Sequence, residues 1–148
     1  MIVRHATPRD APAWVGLRCA LWPHGSESEH GSDIASFLAG DAREPLAVLV
    51  AEDGADRLVG FAELSIRTSA LGCDTDHIAY LEGWYVVSEA RGQGVGHALI
   101  AAAEDWGRSR GCTEFASDAE LENDAGAAAH RAVGFIEVGQ VRCFRKDL

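Results

Sequence analysis

No apolar run in this chain of 148 residues approaches the ~18 residues that a membrane-spanning helix needs. "LAVLVA" (46–51) is about as long as they get. The four cysteines, Cys19, Cys73, Cys112 and Cys143, stand far apart with no C-x-x-C and no Cys/His pairing. That argues against a zinc site or any other bound metal and gives no sign of a disulfide framework. Basic charge is scarce too: 13 Lys and Arg face 23 Asp and Glu, a formal net charge of −10. Such a surface repels nucleic acid and anionic membranes, and it draws in polycations. There is no internal repeat, low-complexity tract or Pro/Gly/Ser linker, so residues 1–148 read as a single domain. The opening "MIVRHATPRD" has no apolar signal-peptide core, which makes the cytoplasm the default location.

What is present is globular composition, 47% hydrophobic and 24% charged, with periodicities that alternate between strand and helix. "MIVRHA" predicts a strand. "TPRDAPAWVGLRCALW" predicts a helix started by Thr7 and Pro8, with Trp14, Leu17 and Leu21 at helical spacing. "WPHGSESEHG" reads as a polar loop, and "SDIASFLAG" as a short helix capped by Ser32 and stopped by Gly40. "LAVLVAEDGADRLVGFAELSIR" reads as two strands joined by an Asp-Gly turn. "HIAYLEGWYVV" is a long apolar strand, and Val95, Leu99, Ala102 and Trp106 share one helix face beyond it. "CTEFASD" predicts a strand, "NDAGAAAHRAV" a helix capped at Asn123 or Asp124, and "GFIEVGQVRCFRK" one bent or two short final strands. Without regular βαβ alternation, the fold class is α+β with a mixed, mostly antiparallel sheet flanked by helices.

Between the long strand and the long helix lies Arg91-Gly92-Gln93-Gly94-Val95-Gly96-His97. The dinucleotide fingerprint G-x-G-x-x-G fails here because its third position is His97. The nucleoside-triphosphate loop fails because no lysine stands nearby. What remains is a run of backbone amides opening a helix, with Arg91 as a fork-shaped phosphate donor: a site for a pyrophosphate. A glycine-rich turn without ligand is the plain alternative. Elsewhere, Glu82 sits inside an apolar strand, where a carboxylate is costly unless it is paired or functional. Gly83 beside it permits a bulge. Pairing with a core arginine is the structural alternative for Glu82. Asp118 ends a strand, where an aspartate also serves as a turn former or cap.

The segment from Arg91 to Gly96 resembles the R/Q-x-x-G-x-G/A motif of the GNAT superfamily of N-acetyltransferases, which binds the pyrophosphate of acetyl-coenzyme A. The order of elements is similar over essentially the whole chain, including "AVGF" (132–135) after a later helix. "LRCALWP" (17–23), "GFAELSIR" (60–67), "GCD" (72–74), "YLEGWYV" (80–86), "ASDAELEN" (116–123) and "HRAVGF" (130–135) together look like the chromosomal aminoglycoside 6'-N-acetyltransferases. Two departures concern the drug site. A tyrosine common in the loop after "SIR" is absent from "TSAL" (68–71), and the acid expected four residues beyond "GF" is replaced by Gly139, with Glu137 nearby.

The resemblance implies acetyl transfer from acetyl-CoA to the 6'-amine of a polycationic aminoglycoside, conferring antibiotic resistance, in a homodimer. It makes Glu82 and Asp118 ligands of the substrate amines and the two candidate bases, with Glu82 favoured for the proton. It makes Trp22 a wall for a sugar ring. The backbone of Trp84, Tyr85 and Val86 is implied to bind the pantetheine arm, the loop from Arg91 through His97 (Gly92, Gln93, Gly94, Val95, Gly96) the pyrophosphate, and Asn123 the coenzyme arm. His130 is a candidate acid for the leaving thiolate, with coenzyme packing or a satisfied surface histidine as its alternatives. Two other readings stay open: an acetyltransferase of another amine, such as a polyamine or a protein N-terminus, and a non-catalytic acyl-CoA-binding module.

Overall fold

A computed structural model describes every residue from Met1 to Leu148. Five strands lie in sequence order: β1 (Ile2–His5), β2 (Ala47–Glu52), β3 (Leu58–Arg67), β4 (Ile78–Val86) and β5 (Phe115–Ser117). All neighbours are antiparallel except β4 and β5, which run parallel. Helices α1 (Ala11–Leu21) and α2 (Glu27–Leu38) cover one face. Helix α3 (Val95–Ser109) covers the other, and α4 (Asp124–Ala132) follows β5. No helix is long and apolar enough to cross a membrane.

The central strands are apolar on both sides because both faces are covered. Along β2, Val48 and Val50 join Trp14, Leu17, Ile34 and Phe61 under α1 and α2. Leu49 and Ala51 join Leu64, Leu81, Leu99, Ile100 and Ala103 under α3. All four residues of the predicted α3 face pack on this core, Val95 and Leu99 buried and Ala102 and Trp106 half-buried, with Ile100 and Ala103 completing it.

Three local expectations are corrected. Helix α2 begins at Glu27 rather than after Ser32, because Ser26 accepts the amide of Glu29 while the Glu29 carboxylate takes the amide of Ser26. This reciprocal capping satisfies two donors that a helix start otherwise leaves free. The β2–β3 reversal is not a two-residue Asp-Gly turn. It spans residues 53–57, with Asp53 accepting the amides of Ala55 and Arg57 and with Asp56 at φ 57°. Finally, residues 133–148 form no strand. Ile136, Val138, Val141 and Phe144 stand exposed, so neither face of this alternating segment is buried, and burial of one face is what holds such a strand in register.

Candidate active site

The site is organised by one irregularity in the β3–β4 ladder. Glu63 pairs with Gly83 but Leu64 pairs with Leu81, so Glu82 is an extra residue in β4. Side chains along a regular strand alternate in direction, and an inserted residue breaks that alternation. The bulge therefore lets Glu82 share the α1/α2 face with Tyr80 and Gly83, and the Glu-Gly pair within an apolar run was its signal.

Three donors meet Glu82. Arg67 gives Nε to Oε1 at 2.9 Å and a terminal nitrogen to Oε2 at 2.7 Å, and the Ser65 hydroxyl also donates to Oε1. Glu82 is thus paired with an arginine, but not with one in the core: its partner is the last residue of β3, with 38% of its side chain exposed. The Arg67 guanidinium lies 3.6 Å from the Tyr80 ring centroid. The Tyr80 hydroxyl in turn donates to Asp118 Oδ2. Burial, and then the Asp118 carboxylate, push the Tyr80 phenol well above its ordinary pKa, so it remains a donor. Asp118 accepts no other donor from the protein. Sequence reading missed Arg67, Ser65 and Tyr80: a strand-terminal arginine carries no local sign that it folds back onto Glu82.

Trp22 closes this face from above. A methyl group at position 83 would come within 2.5 Å of its ring, so only glycine leaves room for it. The ring stacks on His30 and lies 5.0 Å from the Arg18 guanidinium. Arg18 Nε in turn is 3.0 Å from Glu63 Oε1 without being directed at it, a charge contact rather than a hydrogen bond. Burial pushes Glu63 up to about 7, with Arg18 and the Trp14 N–H opposing it.

On the other side of β4 the sheet opens. β5 pairs with β4 only from Ala79 to Leu81, while β4 continues to Val86. Val87 donates its amide to Val59 in β3. By strand alternation, Val86 and Trp84 turn their backbone groups towards the open side, and Tyr85 turns its own towards β3. The Val86 carbonyl there accepts Arg91 Nε at 2.9 Å, leaving both terminal nitrogens of Arg91 without a partner.

The loop beyond β4 carries the clearest ligand signature. Gly92 and Gly94 adopt φ 73° and 85°, a left-handed backbone that glycine enters without strain, and space beside both is open. Gly96 serves differently, since a methyl there would meet Trp84 at 3.0 Å. None of the amides from Gly92 to His97 has an acceptor in the protein; Ala98 is the first that does, donating to Gly94. Consecutive free amides at the start of a 15-residue helix form a nest suited to an anion such as a pyrophosphate. Arg91, Gly92, Gln93, Gly94, Val95, Gly96 and His97 thus come together at one end of the opened strand. The residues present fit the phosphate end of coenzyme A.

Asn123 and His130 have local partners. Asn123 Oδ1 caps α4 by accepting the amide of Gly126 at 2.8 Å, as the capping alternative anticipated. His130 Nδ1 lies 2.7 Å from the Gly126 carbonyl, which only accepts, so that nitrogen carries the hydrogen. Its Nε2 is 2.8 Å from Ser117 Oγ at the end of β5, and its ring meets Trp84 edge-on.

Comparison with known proteins follows the same layout. The acetyltransferase (GNAT) family model matches residues 12–135. The chain is 55% identical to an aminoglycoside N(6')-acetyltransferase type 1 of Klebsiella aerogenes, over 99% of this chain and 97% of that protein. It is 42% identical to the type 1 enzyme of Stenotrophomonas maltophilia, over 99% and 93%. Its backbone superposes on a solved structure of AAC(6')-Iy in complex with the bisubstrate analogue CoA-S-monomethyl-acetylneamine. That match has a TM-score of 0.89 at 36% identity, covering 99% of this chain and 98% of the other. The chain belongs to the GNAT acetyltransferase family.

Proposed function

We propose that this protein, one acetyltransferase domain over residues 1–148, transfers the acetyl group of acetyl-CoA to the 6'-amine of aminoglycosides. Acetyl-CoA, when bound, supplies the activated acyl group. The observation that carries the reading is a juxtaposition about one strand. A nest of free amides and an open strand edge lie at the downstream end of β4. Two carboxylates, Glu82 and Asp118, and an aromatic wall, Trp22, lie around its bulge. The first set suits a phosphate-bearing thioester and the second a polycation with sugar rings. The full-length likeness to aminoglycoside N(6')-acetyltransferases supports the same substrate.

In this account the Gly92–His97 amides and the free nitrogens of Arg91 hold the pyrophosphate. The backbone of Trp84 and Val86 lies along the coenzyme arm, with Tyr85 keeping the strand paired to β3 and Asn123 bordering the arm. An amide on that edge polarises the thioester carbonyl. Glu82 fixes the substrate ammonium. Since Arg67 holds both Glu82 oxygens, we assign proton acceptance to Asp118, whose Oδ1 is unengaged. Protonation of the departing sulfur is assigned to His130 in its imidazolium form, through the Nε2–H beside Ser117, because its Nδ1–H is committed to the Gly126 carbonyl. Acetylation removes a cationic charge from the drug, and with it a charge-assisted contact to an anionic target, which is the basis for resistance.

We further place the enzyme in the cytoplasm and as a homodimer. The exposed apolar residues Ile136, Val138, Val141 and Phe144 are the surface a second copy would cover. Sedimentation of wild type and Phe144→Asp tests this; a monomeric wild type contradicts it. The activity is tested by thiol release from acetyl-CoA across aminoglycosides, polyamines and peptides. Release with 6'-amino aminoglycosides alone is expected. Release with polyamines or peptides alone would transfer the reading to those amines, and binding of acetyl-CoA without any release would leave a non-catalytic module.

A further inference from the structure

The donors around Glu82 go beyond the substrate reading on which this inference rests, because they specify how the carboxylate is presented. A carboxylate oxygen offers two lone-pair sites. Oε1 receives the Ser65 hydroxyl and Arg67 Nε, and is full. Oε2 receives one terminal nitrogen of Arg67 and keeps one site. Only a single direction of acceptance therefore remains for an incoming ammonium. The same guanidinium rests on the Tyr80 ring, whose hydroxyl holds Asp118. One side chain thus touches Glu82 directly and reaches Asp118 through Tyr80, although the arginine comes from β3, the glutamate and tyrosine from β4, and the aspartate follows β5.

We infer that Arg67, assisted by Ser65, is a positioning residue that reserves one acceptor site of Glu82 for the substrate amine and keeps Glu82 and Asp118 in fixed relation. Its planar fork is essential to this role. A lysine in its place would keep the charge but lose the two-point grip and the stacking on Tyr80. The competing possibility is that Arg67 merely occupies the ammonium site and has to be displaced. The two predict opposite signs, because removal of a competitor tightens substrate binding, whereas removal of a positioning group weakens it.

The test is a double-mutant cycle of Arg67→Met and Glu82→Gln, read as kcat and KM for tobramycin, with Arg67→Lys and Ser65→Ala as companions. Arg67→Met is expected to lower kcat/KM by about 10- to 100-fold, the scale of a charge-assisted hydrogen bond. The KM for acetyl-CoA and the circular dichroism spectrum should stay unchanged. Arg67→Lys should recover less than half of the loss on a logarithmic scale, and Ser65→Ala should cost about 3- to 10-fold. In the Glu82→Gln background, Arg67→Met should lose more than half of its effect on a logarithmic scale, keeping only the part that reaches Asp118 through Tyr80. A lower KM in Arg67→Met, full rescue by lysine, or equal losses in both backgrounds would overturn the inference. If wild type acetylates a polyamine and not tobramycin, the drug assignment fails, while the same cycle run on the polyamine still decides the role of Arg67. Should Arg67→Met fail to fold, Ser65→Ala and Arg67→Lys decide by the same signs.

Discussion

Glu63 in β3 and Glu82 at the β4 bulge lie on the same sheet face, each beside an arginine, and their surroundings differ sharply. Glu63 is 2% exposed, held between Arg18 and the Trp14 N–H. The Glu82 side chain is 20% exposed and its arginine 38%. Both pairs place opposite charges within 3.0 Å. Burial decides what each can do. An interior pair is strongly destabilising to break because the surviving charge has no water. A pair at the cleft can exchange part of its solvation for a ligand's ammonium at small cost to the fold. The deeper pair supports Trp22 from below, and in the proposed reading the open pair meets the substrate, so that the bulge would separate structural work from chemical work within a few residues.

The comparison breaks most visibly at Arg18. Arg18→Ala leaves Glu63 buried without its cation and Trp22 without the guanidinium 5.0 Å from its ring. Chemical denaturation at pH 8, above the Glu63 pKa of about 7, should show a loss of about 3 kcal/mol. A loss below about 1 kcal/mol would mean that the Glu63–Arg18 pair is no more structural than the Glu82 pair. Next in size is Glu82→Gln, expected to weaken aminoglycoside binding by about 2 kcal/mol in calorimetry while changing stability by less than about 1 kcal/mol. If its melting temperature falls as far as that of Arg18→Ala, the division of roles is wrong. Asp118→Asn, by contrast, should lower kcat and flatten the acidic limb of the pH–rate profile. Loss of that limb in Glu82→Gln instead would return the proton to Glu82.

The smallest effect is a slope. Burial raises Glu63 from 4.5 to about 7, so between those values the folded chain holds a proton that the unfolded chain releases. Stability from this group therefore declines as pH rises through the window, by at most about 1.4 kcal/mol per pH unit, and Glu63→Gln should flatten that decline. Asp10, which its hydrogen bonds to Arg4 lower from 3.8 to about 2, acts in the opposite direction. Its stabilisation is lost only as pH falls below about 4, outside the window.

Much of this site was legible in the sequence because its signals are local. Alternate glycines before a helix, Glu-Gly within an apolar strand, and Trp-Pro after a helix each report a backbone event where they stand. Arg67, Ser65 and Tyr80 were not legible, since their roles depend on the β3–β4 register, which the bulge shifts by one residue. Ser26 was readable but overlooked: S-x-x-E at 26–29 is a capping signature, and the polar run around it masked the helix start. The C-terminal alternation from 134 to 146 reads as strand for sound reasons, yet a strand needs an edge to pair with, and within one chain this segment forms none.

The central claim, that an amine is delivered at the bulge to a thioester held along the open edge of β4, is tested most directly by a matched pair of drugs. Initial rates of thiol release from acetyl-CoA should be measured with two aminoglycosides that differ only in bearing an amine or a hydroxyl at the 6' carbon. The account predicts steady turnover of the amine and little release with the hydroxyl analogue; equal rates with both would contradict it.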